Sequence, residues 1–460
     1  MDKNKRTLFG LMLSSFIVNL GFGAIMPFLS IYSSLFFYPI DLGFIIIREV
    51  TQIGLLTSAM MISRAFLAPF YGRMSDKEGR KAIIVVGLGL YVILTFGFGL
   101  ATSFYALFVV RFVQGIASAL VWPVAESAVV DVSKEEERGR NLGWFMMSMT
   151  LGWSLGPFLS TVLIWFAKLF VSSQIKAFQF TFFMMGGLSF IGFMIFNILV
   201  IDPKTNKARM SAKEIWTAVV LVIKTTFNIS NLGIPSFLKP SFWKERTVSL
   251  RAVFIMAFSN GFGFAMVFPI FSLFFYQFYN LSEEFIGTIF GIVGLIGVVF
   301  NPIGGWVSDR TNKKVVVLFT GLISGILMGF AGFQFSIMLI IGLFTARQIV
   351  QQMNMPSFRA LQADLVEPEK RGLEFGNVQM FFNTGSILGP ILGGILYDKF
   401  SEQEFTFMGL QAFGVEYLFL ITSSLAIIAT IVLIIFVKKR DFVVNKLKEN
   451  KEEYSFIAKE

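Results

Sequence analysis

The chain contains no cysteine and no histidine. Without cysteine there is no disulfide framework, no thiolate metal site and no sulfur nucleophile. Without histidine the usual proton carrier near neutral pH is missing, so proton traffic falls to carboxylates. Charge is scarce too: only 15% of the 460 residues are Asp, Glu, Lys or Arg. No Gly-x4-Gly-Lys-Ser/Thr phosphate loop occurs, which leaves ATP-driven pumping within this chain unsupported. No histidine-based catalytic arrangement or metal cluster can be built. We therefore expect no enzyme, no metal and no cofactor.

What fills the chain instead is apolar. Hydrophobic residues make up 55%, phenylalanine alone supplies 57, and the mean hydropathy is +0.72. A soluble domain cannot hide that much apolar surface, so the bilayer has to be the solvent for most of it. Twelve apolar spans can be read, at roughly 8–36, 50–71, 82–101, 105–132, 141–167, 178–201, 252–279, 284–307, 315–333, 336–365, 373–397 and 417–437. Each is about long enough to cross a hydrocarbon core as a helix. The first is too long for a signal-peptide core and reads as a retained helix.

The net charge of +10 is a topology signal rather than a nucleic-acid footprint. Of the 39 Lys and Arg residues, 31 fall in the N-terminus, the C-terminal tail and every second connection. Four lie on the other side (Arg48, Lys168, Lys176, Lys399) and four inside spans (Arg64, Arg111, Arg347, Arg359). By the positive-inside rule both termini are cytoplasmic. We expect a multi-pass protein of the plasma or inner membrane, a monomer, with no nucleic-acid partner.

The chain also repeats itself. Gly72-x3-Asp76-x3-Arg80-Lys81 returns 233 residues later as Gly305-x3-Asp309-x3-Lys313-Lys314. Gly143-x8-Gly152-x3-Gly156-Pro157 returns at the same interval as Gly376-x8-Gly385-x3-Gly389-Pro390. Asp131 and Asp364 keep the interval as well. Two such halves in an apolar chain are how many membrane transporters are built. The expected domains are a six-helix bundle over 1–201, a cytoplasmic linker over 202–250, a second bundle over 251–440 and a tail over 441–460. Within the linker, the run Ile215 to Ile223 is too short to span and suits an interfacial amphipathic helix. Asn19-Leu-Gly21-Phe-Gly23 in the first span is echoed by Asn260-Gly261-Phe-Gly263 in the seventh, consistent with local bending or with close helix packing.

The loop Gly72-Arg-Met-Ser-Asp76-Lys-Glu-Gly79-Arg80-Lys81 resembles the signature between helices 2 and 3 of the major facilitator superfamily. Its second copy has Asn312 where glycine is expected. Arg111-Phe-Val-Gln114-Gly115 resembles the same superfamily's fourth-helix motif. The glycine run ending at Pro157 is similar to one found in its drug:proton antiporters, although Ser160 stands where a last glycine is usual; the later copy keeps it as Gly393. The resemblance implies an all-α membrane fold of twelve transmembrane helices in two pseudo-symmetric six-helix bundles, and it tilts the function toward export.

Residue chemistry supports roles for these positions. Asp76 and Asp309 sit at helix ends, where carboxylates can cap exposed N–H groups. Arg80 and Lys313 are within reach of Asp131 and Asp364, so with Gly72 and Gly305 they form a candidate cytoplasmic gate. The alternative is that these charges anchor loops among lipid headgroups. Gly143, Gly152, Gly156, Pro157, Gly376, Gly385, Gly389 and Pro390 are helix-packing positions.

Charges inside spans cost about 2.5–3.5 kcal/mol even on lenient scales. Glu126 is the one acid well inside a span. It is the proton-coupling candidate, with Arg64 at similar depth and Arg359 at its repeat-equivalent position across a central cavity. A static buried ion pair is the alternative. Helix 10 is polar at Arg347, Gln348, Gln351, Gln352 and Asn354, a run too polar to face lipid. With Asn19, Arg111, Gln114, Trp122, Asn260, Tyr276 and Asn383 these residues should line a wet cavity. The expected function is proton-coupled efflux of amphipathic organic compounds by alternating access, with a small molecule and protons as partners. A sugar, metabolite or lysolipid carrier working as uniporter or symporter is the other reading, and a non-transporting receptor a third.

Overall fold

The fold was obtained as a computed structural model that describes residues 2–41, 46–134, 137–202, 210–226, 239–333, 336–367, 371–401, 403, 405–407, 410–412 and 414–438. The expected tail over 441–460 and the stretches 203–209 and 227–238 of the expected linker lie outside these residues. The first half forms α1 (Lys3–Ser34), α2 (Glu49–Glu78), α3 (Arg80–Leu100), α4 (Phe104–Val132), α5 (Arg138–Lys168) and α6 (Gln174–Leu199). Two linker helices follow, α7 (Ala212–Thr226) and α8 (Pro240–Lys244). The second half forms α9 (Val248–Phe278), α10 (Glu283–Arg310), α11 (Lys313–Phe330), α12 (Ile337–Asp364), α13 (Arg371–Phe400) and α14 (Glu416–Phe436). Two small antiparallel hairpins were not anticipated: β1 (Ile40–Asp41) with β2 (Ile46–Ile47), and β3 (Phe405–Phe407) with β4 (Leu410–Ala412). They pair loop backbone that the long helices leave without partners.

Eleven of these helices are long and apolar enough to cross a membrane. The one missing from the expected twelve is α12, which has the length, 28 residues. Its polar run from Arg347 to Asn354 is what lowers its apolarity. Helix starts follow capping chemistry: the Ser103 and Ser336 hydroxyls accept from the amides of Ala106 and Leu339 at 3.3 and 3.4 Å. Proline sits inside α2, α4 and α5 at Pro69, Pro123 and Pro157, and again in α10, α12 and α13 at Pro302, Pro356 and Pro390. Transmembrane helices tolerate such kinks because neighbours satisfy the freed carbonyls.

Packing groups the described helices into two units, residues 1–233 with 268–298, and 234–267 with 299–460. In the first unit α1 packs on α5 and α6, α2 on α4, and α3 on α4 and α6. Its core runs through Tyr71, Ile83, Val121, Val124 and Phe145, all at most 2% exposed. The linker helix α7 joins this core. Ala218 and Val222 are buried, Ile215, Val219 and Leu221 pack alongside, and Trp216 and Ile223 stay exposed. Thr226 at its end hydrogen-bonds Tyr71 of α2 at 2.6 Å.

In the second unit α11 packs on α12 and α14, and α13 presses on α9. Gly385 and Gly389 face the backbone of Phe258, Phe262 and Met266. The first unit repeats this crossing, with Gly152 and Gly156 against Phe16, Leu20 and Ala24. The equivalence Phe16–Phe258 and Leu20–Phe262 sets the α1–α9 offset at 242, from 258 − 16 and 262 − 20. Gly21 therefore matches Gly263, and Pro27 matches Pro269.

Candidate transport site

The helix-end charges assemble as the repeat suggests. Arg80, first residue of α3, binds Asp76 at 2.6 Å and Asp131 at the end of α4 at 2.9 Å. It also donates to the Ser75 hydroxyl at 2.7 Å. One guanidinium thus ties α2, α3 and α4 together within the first unit. Lys313 meets Asp364 at 2.7 Å in the second unit. A lysine replaces the fork, and Asp309 is exposed beside it. A side chain at Gly72 would meet nothing within 4 Å among the described residues, and one at Gly305 only Pro356 at 3.9 Å.

The turn before α3 explains why its two copies differ. Gly79 has φ +99°, open to glycine but strained for other residues, and any Cβ there would press on the Asp202 carboxylate. Asp202 instead accepts from the Lys81 amide at 2.8 Å, capping α3 from outside. The Lys81 ammonium, buried, donates to the carbonyls of Asn197 and Val200 at 2.7 and 2.6 Å. These are the open carbonyls at the end of α6. In the second copy Asn312 caps α11 itself through the Lys314 amide at 3.0 Å, so no glycine is needed. Lys314 keeps the other job, donating to Val437 beyond α14 at 2.7 Å.

Deeper in the first unit a polar seam runs through α2, α3 and α4. Arg64 lies close enough to Tyr91 and Glu126 to be attracted by both. Trp122 donates to the Tyr91 hydroxyl at 3.2 Å. Further along α4, Arg111 is 1% exposed. It donates to Gln114 at 2.8 Å, contacts the sulfurs of Met60 and Met26 at 3.4 and 3.3 Å, and sits over the Phe98 ring. Its Nε has no partner among the described residues. Asn19 turns back to the Ser15 carbonyl of its own helix at 2.8 Å.

In the second unit the polar residues of α12 find partners on α10 and α11. Asn354 donates to Thr320 at 2.7 Å, Gln351 accepts from Ser324 at 3.1 Å, and Gln352 accepts from Asn301 at 3.4 Å. Asn354 is therefore held against α11. The Nε of Arg347 is buried without a described partner. Asn260 and Asn383 are half-buried and Arg359 is exposed. Asn383 accepts from Gln379 at 3.1 Å, and Tyr276 accepts from Gln174 at 3.2 Å in the first unit.

Among the packing glycines, Gly152, Gly156, Gly385 and Gly389 are pressed on neighbouring backbone, whereas Gly143 and Gly376 face open space. Sequence reading missed a second buried pair, Arg246 with Glu374, whose two bonds of 3.1 and 3.0 Å form a fork. Asn377 supports Glu374 at 3.0 Å. Its one signal was an acid in the first turn of α13, too common to single out. It also missed Lys168 with Glu283 and Glu284, at 2.9 and 2.7 Å.

A polytopic, mainly helical chain with duplicated helix-end ion pairs and charges buried mid-helix has the architecture of a membrane protein that moves a solute. That is the class of a secondary transporter. A model of the Major Facilitator Superfamily matches residues 11–250 and 253–459, and the chain belongs to that family. It is 24% identical over 403 residues to the quinolone resistance protein NorA of Staphylococcus aureus, covering 86% of this chain and 91% of that protein. It is 24% identical over 419 residues to multidrug resistance protein 2 of Bacillus subtilis, covering 88% and 92%. Among solved structures it resembles a bacterial homolog of the human lysosomal transporter Spinster, with TM-score 0.73, 15% identity and coverage of 97% and 98%. It also resembles the nucleoside transporter NupG, with TM-score 0.68, 16% identity and coverage of 94% and 100%.

Proposed function

We propose that the protein exports amphipathic organic compounds in exchange for protons, by alternating access of two six-helix bundles over 1–201 and 251–440, with both termini cytoplasmic. The observation that carries the proton side is Glu126 on α4, within electrostatic reach of Arg64 on α2. A carboxylate in an apolar span is kept charged by such a neighbour and can surrender it when protonated. The drug side rests on the two resistance proteins named above, whose likeness runs over most of the chain. The Arg80 and Lys313 clusters brace the helix ends that a rocking bundle moves as rigid bodies.

The test uses purified protein in liposomes loaded with ethidium. An imposed pH gradient should drive ethidium movement, and Glu126→Gln should reduce that movement at least about ten-fold with the protein still folded. Flux indifferent to the gradient removes the proton. Movement of sugars or lysolipids but not ethidium removes the drug.

A further inference from the structure

A cluster in the first unit joins α5 and α6 to the turn between α9 and α10. Lys168, the last residue of α5, places its ammonium 2.9 Å from Glu283 and 2.7 Å from Glu284. Gln174, first in α6, donates to Glu283 and to the Tyr276 hydroxyl. Glu283 is 5% exposed, although it is charged and stands at a helix start. Thr161 of α5 donates to the Glu284 carbonyl at 3.2 Å.

Below these charges the helices are nearly touching. Side chains at Gly287 and Gly291 would collide with Pro157, Thr161 and Phe158 of α5. On the adjoining face, the hydroxyls of Ser30 and Ser272 are 2.7 Å apart. Those two serines are separated by 242, the interval that relates α1 to α9 by packing. A residue touching its own repeat-equivalent lies where the two repeats meet.

We propose that Lys168, Glu283, Glu284 and Gln174 form a polar clasp that shuts one mouth of the transport path, opposite the end marked by Arg80. This rests on the alternating-access reading above. The elements it joins come from different repeats, so a carrier in which the repeats rock must part them in each cycle. Charges suit that duty. Lys168 and Glu284 stay 39% and 23% exposed, so water can replace each partner as that pair parts, and the closed state is favoured without being locked. The close glycine contacts give the clasp its fit, and the ion pairs give its register. Lys168, Glu283 and Glu284 are positioning residues here; none needs to touch the solute.

The cysteine-free chain allows a test that needs no substrate. Spin labels at Phe170→Cys and Ser282→Cys, both exposed positions, should report one dominant short distance. Lys168→Glu should enlarge a longer-distance population several-fold, and Lys168→Glu combined with Glu283→Lys should restore the short one. Identical distributions in all three overturn the clasp. The second arm joins Ser30→Cys to Ser272→Cys by oxidation, a span compatible with disulfide geometry. Ethidium flux should fall at least about ten-fold on oxidation and return on reduction, because a tethered mouth cannot take part in the population exchange. A complete crosslink with unchanged flux, or two cysteines that never join, overturns it. If the reduced protein moves no ethidium, the export reading fails while the label distances still judge the clasp.

Discussion

Three glycines of one motif in α5, Gly143, Gly152 and Gly156, do not share one fate when each is replaced by alanine. At Gly156 an added Cβ would be driven into the backbone of Leu20, Gly23 and Ala24 on α1. At Gly152 it would strike the Phe16 carbonyl and stand 3.0 Å from the Asn19 Cβ. Backbone cannot rotate away as a side chain can, so α1 and α5 must separate. Overpacking of this kind costs about 1–3 kcal/mol. Alanine returns about 1 kcal/mol of helix propensity. The net expectation for either site is a loss of up to about 2 kcal/mol, and more for both together, because they press on one crossing. At Gly143 nothing described stands within 4 Å, so Gly143→Ala keeps the propensity gain and should be neutral or slightly stabilising. The second half supplies the replicate: Gly385→Ala and Gly389→Ala should behave like the first pair, Gly376→Ala like Gly143→Ala. Thermal melting of detergent-purified variants, followed by loss of the monodisperse peak, reads the ranking. Gly143→Ala melting as early as Gly156→Ala would refute the packing argument.

Arg246→Met should destabilise by about 3 kcal/mol because it strips the buried Glu374 of its counter-charge, and Arg246→Lys by less, since an ammonium keeps the charge but loses the fork; equal melting of Arg246→Lys and the parent protein would contradict this. Lys81→Met keeps the apolar stem but leaves the Asn197 and Val200 carbonyls without their donor. A loss of about 2 kcal/mol should appear in the same melts, and unchanged melting would contradict it. Arg80→Ala should change stability by no more than about 1 kcal/mol, since Asp76 and Asp131 are 58% and 39% exposed and water screens them. Liposome flux should nonetheless fall several-fold, and an unaltered rate would detach Arg80 from gating.

The length of the apolar runs made the membrane helices legible, because a span needs about 20 apolar residues wherever it sits. The 233-residue interval exposed the duplicated clusters, and Arg80–Asp131 and Lys313–Asp364 formed where that interval pointed. Composition also marked α12 as unlike its neighbours. What it left open was where that polarity goes. Asn354, Gln351 and Gln352 find partners on α10 and α11, an outcome set by which helices lie alongside. Likewise, Gly143 and Gly156 are the same residue type in one motif, and only the course of α1 separates an empty position from a crowded one.

The sequence by itself determined that this is a duplicated, helical membrane carrier, since hydropathy, charge bias and repeat interval are properties of the chain order. Tertiary structure alone decided the partners of its buried charges. Lys168 and Glu283 are 115 residues apart, Arg246 and Glu374 128. No local pattern encodes such pairings; an ion in a low-dielectric interior takes whichever counter-charge or dipole the packed helices deliver within a few ångströms.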